Sequence, residues 1–277
     1  MAPAPIAFGR PWRVTGHILC LALCLSVVAP LVLVLGTAFK PANEIYDLTP
    51  WPQRPTLANF ARLLNETDFV LYLWNSLATT FLRVAGQLAI AVLAAYAFAR
   101  WRFTGSTFVF ALTLGAMMIP HQLVMIPIYI MIAELEWFDT WAALIIPNLA
   151  MPFAVFLLRQ HMMSFPKELL DAAEMDGAGP LTALWRVMLP NLGPAVAALT
   201  IVLSIDCWNE YFWPLLVTDT PGARTVQIGI RQFLEENFED FGALMAGVTV
   251  ASVPVLAVFF VLQRRIMETF VASGLKG

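Results

Sequence analysis

Residues 171–190 read DAAEMDGAGPLTALWRVMLP. The stretch holds three acids, one arginine, two glycines and two prolines, and it reads as a polar helix–turn–helix. Its surroundings are of the opposite kind. Of 277 residues, 60% are hydrophobic and 13% charged, and the mean hydropathy is +0.74. Ordinary globular domains carry about 25% charged residues. A soluble core of this length would not need so much apolar surface, so the chain reads as an all-α polytopic membrane protein. The question is why such a chain keeps a polar helical loop between two apolar runs.

Six runs approach the roughly 20 apolar residues that a membrane crossing needs. They cover about 14–39, 69–99, 107–133, 140–158, 191–217 and 241–263. They are too long and too little alternating for strands. The first exceeds the apolar part of a cleavable signal and reads as a retained span. One transmembrane domain, 1–277, accounts for the chain, with an outer segment 40–68 and an inner loop 159–190. The outer segment, rich in Pro and Trp (PANEIYDLTPWPQRP, 41–55), is expected to be an ordered cap over the outer face, the alternative being a solvated linker. Cys20, Cys24 and Cys207 all sit in apolar runs and read as small buried residues.

Orientation follows from Lys and Arg near the spans. With the N-terminus inside, inner segments hold 10 of the 16 basic residues and outer segments hold 5, while Arg83 lies within a span. The inner set includes Arg10, Arg13, Arg100, Arg102, Arg159 and Lys276. The outer loops are acid-rich, as in EENFED (235–240). Both termini are therefore expected in the cytoplasm. Prolines at 30, 120, 127, 152, 214 and 254 fall in the apolar runs and are expected to kink them. Pro120 and Pro127 bracket His121 and Gln122.

Within the inner loop, Ser164 and Pro166 suit a helix start, and Leu169, Ala172 and Ala173 share one face. Gly177, Gly179 and Pro180 break that helix. Leu181, Leu184, Trp185 and Met188 then recur at helical spacing, and Pro190 ends the run. Such helices either pack on headgroups and the chain's own spans, or present a docking surface to a cytoplasmic partner.

The spacing itself narrows the choice. Asp171-Ala172-Ala173, three residues, Gly177, nine residues, Val187, one residue and Leu189-Pro190 resembles the EAA loop of ABC importer permeases. Asp stands for Glu and Val for Ile. WNEYFWPLLVTD (208–219) and QRRIMETFVASGLKG (263–277) are similar to the carbohydrate permeases of the maltose/glycerol-3-phosphate type. The resemblance implies a six-span subunit in a bacterial-type inner membrane. It also implies a second related permease, a nucleotide-binding ATPase dimer and an extracytoplasmic solute-binding protein. Glu168, Asp171, Ala172, Ala173, Asp176, Gly177, Leu189 and Pro190 would form the ATPase-docking surface, with an acid meeting a basic group there. Gly177 would permit close backbone approach. The chain contains no G-x-x-x-x-G-K-[ST] loop, so it is expected to bind no cofactor, with ATP and Mg held by the partner ATPase. Nucleic acid is not an expected partner.

Polar groups inside spans default to functional hypotheses. Asn75, His121, Gln122, Asp206, Trp208, Asn209, Glu210 and Tyr211 are candidates for a path taken by a sugar, amino sugar or glycerol phosphodiester. Ser76, Asn148 and Trp213 extend the set. The competing role for each is to join one helix to another. Arg83 and Asp206 depart from the family pattern. Arg83 lies 17 residues (100 − 83) from Arg100 and Asp206 lies 16 (206 − 190) from Pro190, or about 25 and 24 Å along straight helices. They are a candidate ion pair. The alternatives give Asp206 or Glu210 a cationic substrate group, or Asp206 a partner subunit.

Two other functions compete with an importer. An ion-coupled secondary transporter would use Asp206, Glu210 and His121 as a relay and would need no docking loop. A membrane enzyme finds no support: the three His (His17, His121 and His161) form no H-E-x-x-H cluster, and no metal site is expected.

Overall fold

The computed structural model describes residues 10–47, 49–236 and 240–274, all helix and connecting segments with no strand among them. Lys276 and residues 237–239 of the acidic outer loop lie outside the described residues. In order, the helices are α1 (Arg10–Ala38), α2 (Ala58–Glu66), α3 (Phe69–Arg100), α4 (Ser106–Ala116), α5 (His121–Glu134) and α6 (Trp141–Ile145). There follow α7 (Pro152–Met163), α8 (Lys167–Met175), α9 (Pro180–Ala183), α10 (Leu189–Asn191), α11 (Gly193–Asn209), α12 (Phe212–Val217), α13 (Val226–Glu236) and α14 (Phe241–Gly274). The chain divides into two compact units. One holds the chain up to Thr67 together with Gln232–Val250; the other holds Asp68–Arg231 and the chain from Ala251.

Among the described residues, three helical stretches are long and apolar enough to cross a membrane: Val14–Ala38, Phe69–Arg100 and Phe241–Gln263. The expected runs 107–133, 140–158 and 191–217 are not single helices. The first two correspond to bent pairs, Ser106–Ala116 with His121–Glu134 at 98° and Trp141–Asn148 with Pro152–Met163 at 45°; the third holds α11 and α12, and α11 is itself bent by 81° from the preceding Pro180–Asn191 of the loop. Proline explains two of the breaks, since it lacks an N–H and disfavours helix at the residue before it. Pro120 is the N-cap of α5, and Pro152 opens α7. At the third, Leu192 adopts φ −91° and ψ 8°, and the fifth apolar run starts at Gly193 and ends at Asn209. Residues 212–217 form a separate helix, α12. Pro30, Pro127 and Pro254 lie within helices.

In the first unit, the segment after α1 is ordered by buried polar groups, each of which must find a partner. Asn59 Nδ2 donates to the carbonyls of Ala38 (2.9 Å) and Lys40 (2.8 Å). Lys40 Nζ, 2% exposed, donates to the Asp47 carbonyl at 2.7 Å, and Glu44 accepts the Gln53 amide at 2.9 Å. Arg62 bridges Asn59 Oδ1 and Asp240, and Asp240 also accepts the Ala243 amide at the start of α14. Cys20 and Cys24 are exposed on α1 rather than buried; Cys207 is half-buried.

The second unit is built on α3, α7 and α11. Small residues at their crossings (Ala91, Ala95 and Ala154) allow close approach, as is usual between membrane helices. The inner loop closes the same core. Leu170 on α8, together with Leu184 and Met188 in the π-helical turn Leu184–Met188, is buried in it. On α8, Leu170 is buried; of the residues expected to share a face, Ala173 is half-buried, while Leu169 and Ala172 are exposed. Ser164 caps no helix start either: it ends α7, its hydroxyl donating to the His161 carbonyl, and Pro166 occupies the N-cap of α8.

Candidate functional site

Two places in the second unit combine exposure with chemistry. The first is the inner loop. α8 terminates through paired bonds, Gly177 N–H to the Glu174 carbonyl (3.0 Å) and Ala178 N–H to the Ala173 carbonyl (2.9 Å). That motif requires a left-handed residue just past the helix, and Gly177 has φ +82°. A Cβ on Gly177 would meet nothing within 4 Å, so within this chain the glycine serves the turn and not a close approach. The loop is tied back to α3. Tyr96 donates its hydroxyl to the Pro180 carbonyl at 3.0 Å; Arg100 meets Glu174 at 2.5 Å and Asp171 at 3.7 Å. Asp171 thus faces a basic group of its own chain, while Glu168 is exposed and makes no ion pair among the described residues. Ala172, Asp176, Gly177 and Pro190 are exposed as well, with Ala173 and Leu189 half-buried. Leu169 (48%), Met175 (90%), Leu181 (60%) and Trp185 (57%) lay apolar surface open on the loop.

The second place is a cavity of about 980 Å³. It lies at the junctions of two bent pairs and at the end of α11: residues 117–122 where α4 gives way to α5, 147–153 where α6 gives way to α7, and 209–212 where α11 gives way to α12. Irregular backbone at membrane depth is tolerated where it lines a cavity, so the breaks and the cavity are one feature. Six of the expected path residues line it: His121, Gln122, Asp206, Asn209, Glu210 and Tyr211. Asn148 lines it too, and Arg83 and Gln87 enter it from α3.

Two expected residues are placed elsewhere. Asn75, 1% exposed, donates to the carbonyls of Pro221 (3.2 Å) and Arg224 (3.0 Å), while its neighbour Ser76 accepts the Val226 amide at 2.7 Å. Both anchor the connection into α13. Trp208 is buried at the end of α11, where its carbonyl accepts from Gln227. Trp213 is likewise structural, donating to the Ala143 carbonyl at 2.8 Å.

The expected Arg83–Asp206 pair is not the one formed: Arg83 contacts Glu210. The physical reason is the bend at Leu192. A count from Pro190 treats the loop and α11 as one straight rod, but the rod begins at Gly193, and Glu210 lies 17 residues (210 − 193) along it. That equals the distance of Arg83 from Arg100. Asp206, one turn earlier, is exposed to the cavity and makes no ion pair among the described residues. Arg83 Nε, Gln87 Oε1 and the Tyr211 hydroxyl are buried without a hydrogen-bond partner among the described residues. Arg231 lies 5.0 Å over the Tyr211 ring and steadies it from behind. Gln87 has no place among the sequence candidates. It follows Arg83 by one turn on α3, and that spacing is the signal that would have found it.

Residues 87–268 match the family described as the binding-protein-dependent transport system inner membrane component. The chain is 32% identical over 256 residues to the arabinooligosaccharides transport system permease protein of Halalkalibacterium halodurans, covering 90% of this chain and 91% of that one. It is 33% identical over 267 residues to the sn-glycerol-3-phosphate transport system permease protein of Yersinia enterocolitica, covering 93% and 95%. In fold it is similar to a bacterial ABC transporter involved in import of the acidic polysaccharide alginate. The TM-score is 0.83 at 22% identity, over 95% of this chain and 99% of that one.

Proposed function

This chain belongs to the family of binding-protein-dependent transport system inner membrane components, and from that premise we propose that it is the permease subunit of an ATP-driven importer of a carbohydrate-type solute. A membrane transport subunit of this family is not itself the catalyst. ATP and Mg are held by a partner ATPase dimer, a second related permease completes the pathway, and an extracytoplasmic binding protein delivers the solute. The three long helices, the bent pairs α4–α5 and α6–α7, and α11 with α12 make six spans, with both termini on the cytoplasmic side.

One observation carries this reading: the inner loop has two sides. Leu170, Leu184 and Met188 pack into the core, while Leu169, Met175, Leu181 and Trp185 stay open. An apolar surface held rigid by its own opposite face suits a docking joint. Closure of the ATPase moves the loop, and α3 carries the movement along its length, from Arg100 at the loop to Arg83 and Gln87 at the cavity. ATP turnover and solute access are then two sides of one coupling free energy.

The test is uptake by cells that carry the complete transporter, with the solute first recovered from the purified binding protein by mass spectrometry. Uptake that stops when the ATPase is inactivated and survives a protonophore supports the importer. Uptake that needs the proton gradient and ignores the ATPase supports an ion relay through His121, Asp206 and Glu210 instead.

A further inference from the structure

Charge around the cavity is unevenly balanced. Arg83 is the one Lys or Arg of its lining, against Asp206 and Glu210. These three groups together leave one net negative charge. Glu210 already engages Arg83. Asp206 stands one turn before Glu210 on α11, exposed and free of ion pairs among the described residues. In the same lining, Gln87 Oε1 and the Tyr211 hydroxyl are buried hydrogen-bonding atoms with no partner among the described residues. Such atoms are costly unless something entering the cavity satisfies them.

We propose that Asp206 is the specificity-determining residue of this cavity and sets the charge class of the cargo: a carbohydrate without phosphate, sulfonate or carboxylate groups, with amine-bearing sugars preferred over acidic ones. The proposal rests on the importer reading. Sugar hydroxyls bond to Gln87, Asn209 and Tyr211. An acidic group passing the end of α11 meets the Asp206 carboxylate while Arg83 is engaged by Glu210 and Arg231 stands over the Tyr211 ring, and like charges at short range repel. An amine at the same place forms a charge-assisted hydrogen bond.

The test measures the field at the cavity with charged thiol reagents and needs no knowledge of the cargo. The complete complex, with Cys20→Ser, Cys24→Ser and Cys207→Ala, carries Asn209→Cys. Labelling rates are compared for trimethylammonioethyl and sulfonatoethyl methanethiosulfonate, each relative to 2-mercaptoethanol in solution. The cation-to-anion rate ratio is expected to exceed the solution value about tenfold, because a cleft of one charge sign concentrates the opposite one. Adding Asp206→Asn brings the ratio back toward the solution value. A ratio at or below the solution value, a ratio unmoved by Asp206→Asn, or no labelling by either reagent overturns the proposal. If Asn209→Cys prevents assembly, Gln122→Cys on the same lining takes its place. Labelling requires no ATP turnover, so a failed ratio refutes the charge assignment alone, whereas uptake that ignores the ATPase refutes the importer reading alone.

Discussion

Arg83 and Glu210 are buried together, their side chains 8% and 15% exposed. Removing one charge of such a pair leaves the other uncompensated, at a cost of about 3–5 kcal/mol. Arg83→Gln is therefore expected to lower the melting temperature of the purified complex clearly, and the double variant Arg83→Gln/Glu210→Gln to recover most of the loss. Asp206→Asn should change stability by no more than about 0.5 kcal/mol. Rescue of Arg83→Gln by Asp206→Asn instead would contradict the observed pairing. The sequence displays Asp206 and Glu210 one turn apart on the same helix face, and either satisfies a rough depth match to Arg83. Only the point where α11 begins decides between them, and that depends on a bend with no proline at its apex, Leu192. Asn75 was illegible for a different reason. Its partners are backbone carbonyls at Pro221 and Arg224, far along the chain, and no local pattern announces them.

At the scale of the element, α8 and its turn depend on one left-handed residue. Gly177→Ala forces a Cβ into φ +82°, which costs about 1–2 kcal/mol. Faster hydrogen exchange at the Gly177-equivalent and Ala178 amides is the expected readout, and Gly177→Asn, which tolerates that conformation, should exchange more slowly than Gly177→Ala. Unchanged exchange in Gly177→Ala would mean that the turn does not depend on the glycine. The tie from α3 to the loop makes a second prediction. Glu174 is half exposed, so Glu174→Ala should cost at most about 1 kcal/mol of stability. Uptake per ATP hydrolysed should nevertheless fall, because the loop loses the shorter of its two contacts with Arg100. Full coupling in Glu174→Ala combined with Tyr96→Phe would show that α3 does not carry the movement. The loop was legible because its glycines, prolines and acids stand at fixed offsets. The broken helices were less so: hydropathy runs through a break unchanged, since composition carries no record of direction. Pro120 and Pro152 mark two of the interruptions, but the size of each bend follows from packing.

Across the whole molecule, three features fall into line. The inner loop grips the core on one side and leaves apolar surface open on the other. α3 runs unbroken from that loop to the cavity. The cavity sits at the α4–α5, α6–α7 and α11–α12 junctions, which gives it backbone and side-chain polar groups without a soluble domain. Membership in the binding-protein-dependent inner membrane component family agrees with this layout. The lining carries Arg83, Asp206 and Glu210, and under the proposal above their charge bears on what is carried more than on how it is carried.

The most direct measurement is co-purification of the solubilised chain from its native host, comparing wild type with Gly177→Asp. The account predicts that an ATPase and a second permease accompany the wild type, and that the variant keeps the permease but loses the ATPase. If the wild-type chain purifies alone and still transports after reconstitution, it is no subunit of an ATP-driven importer, and the central claim is wrong.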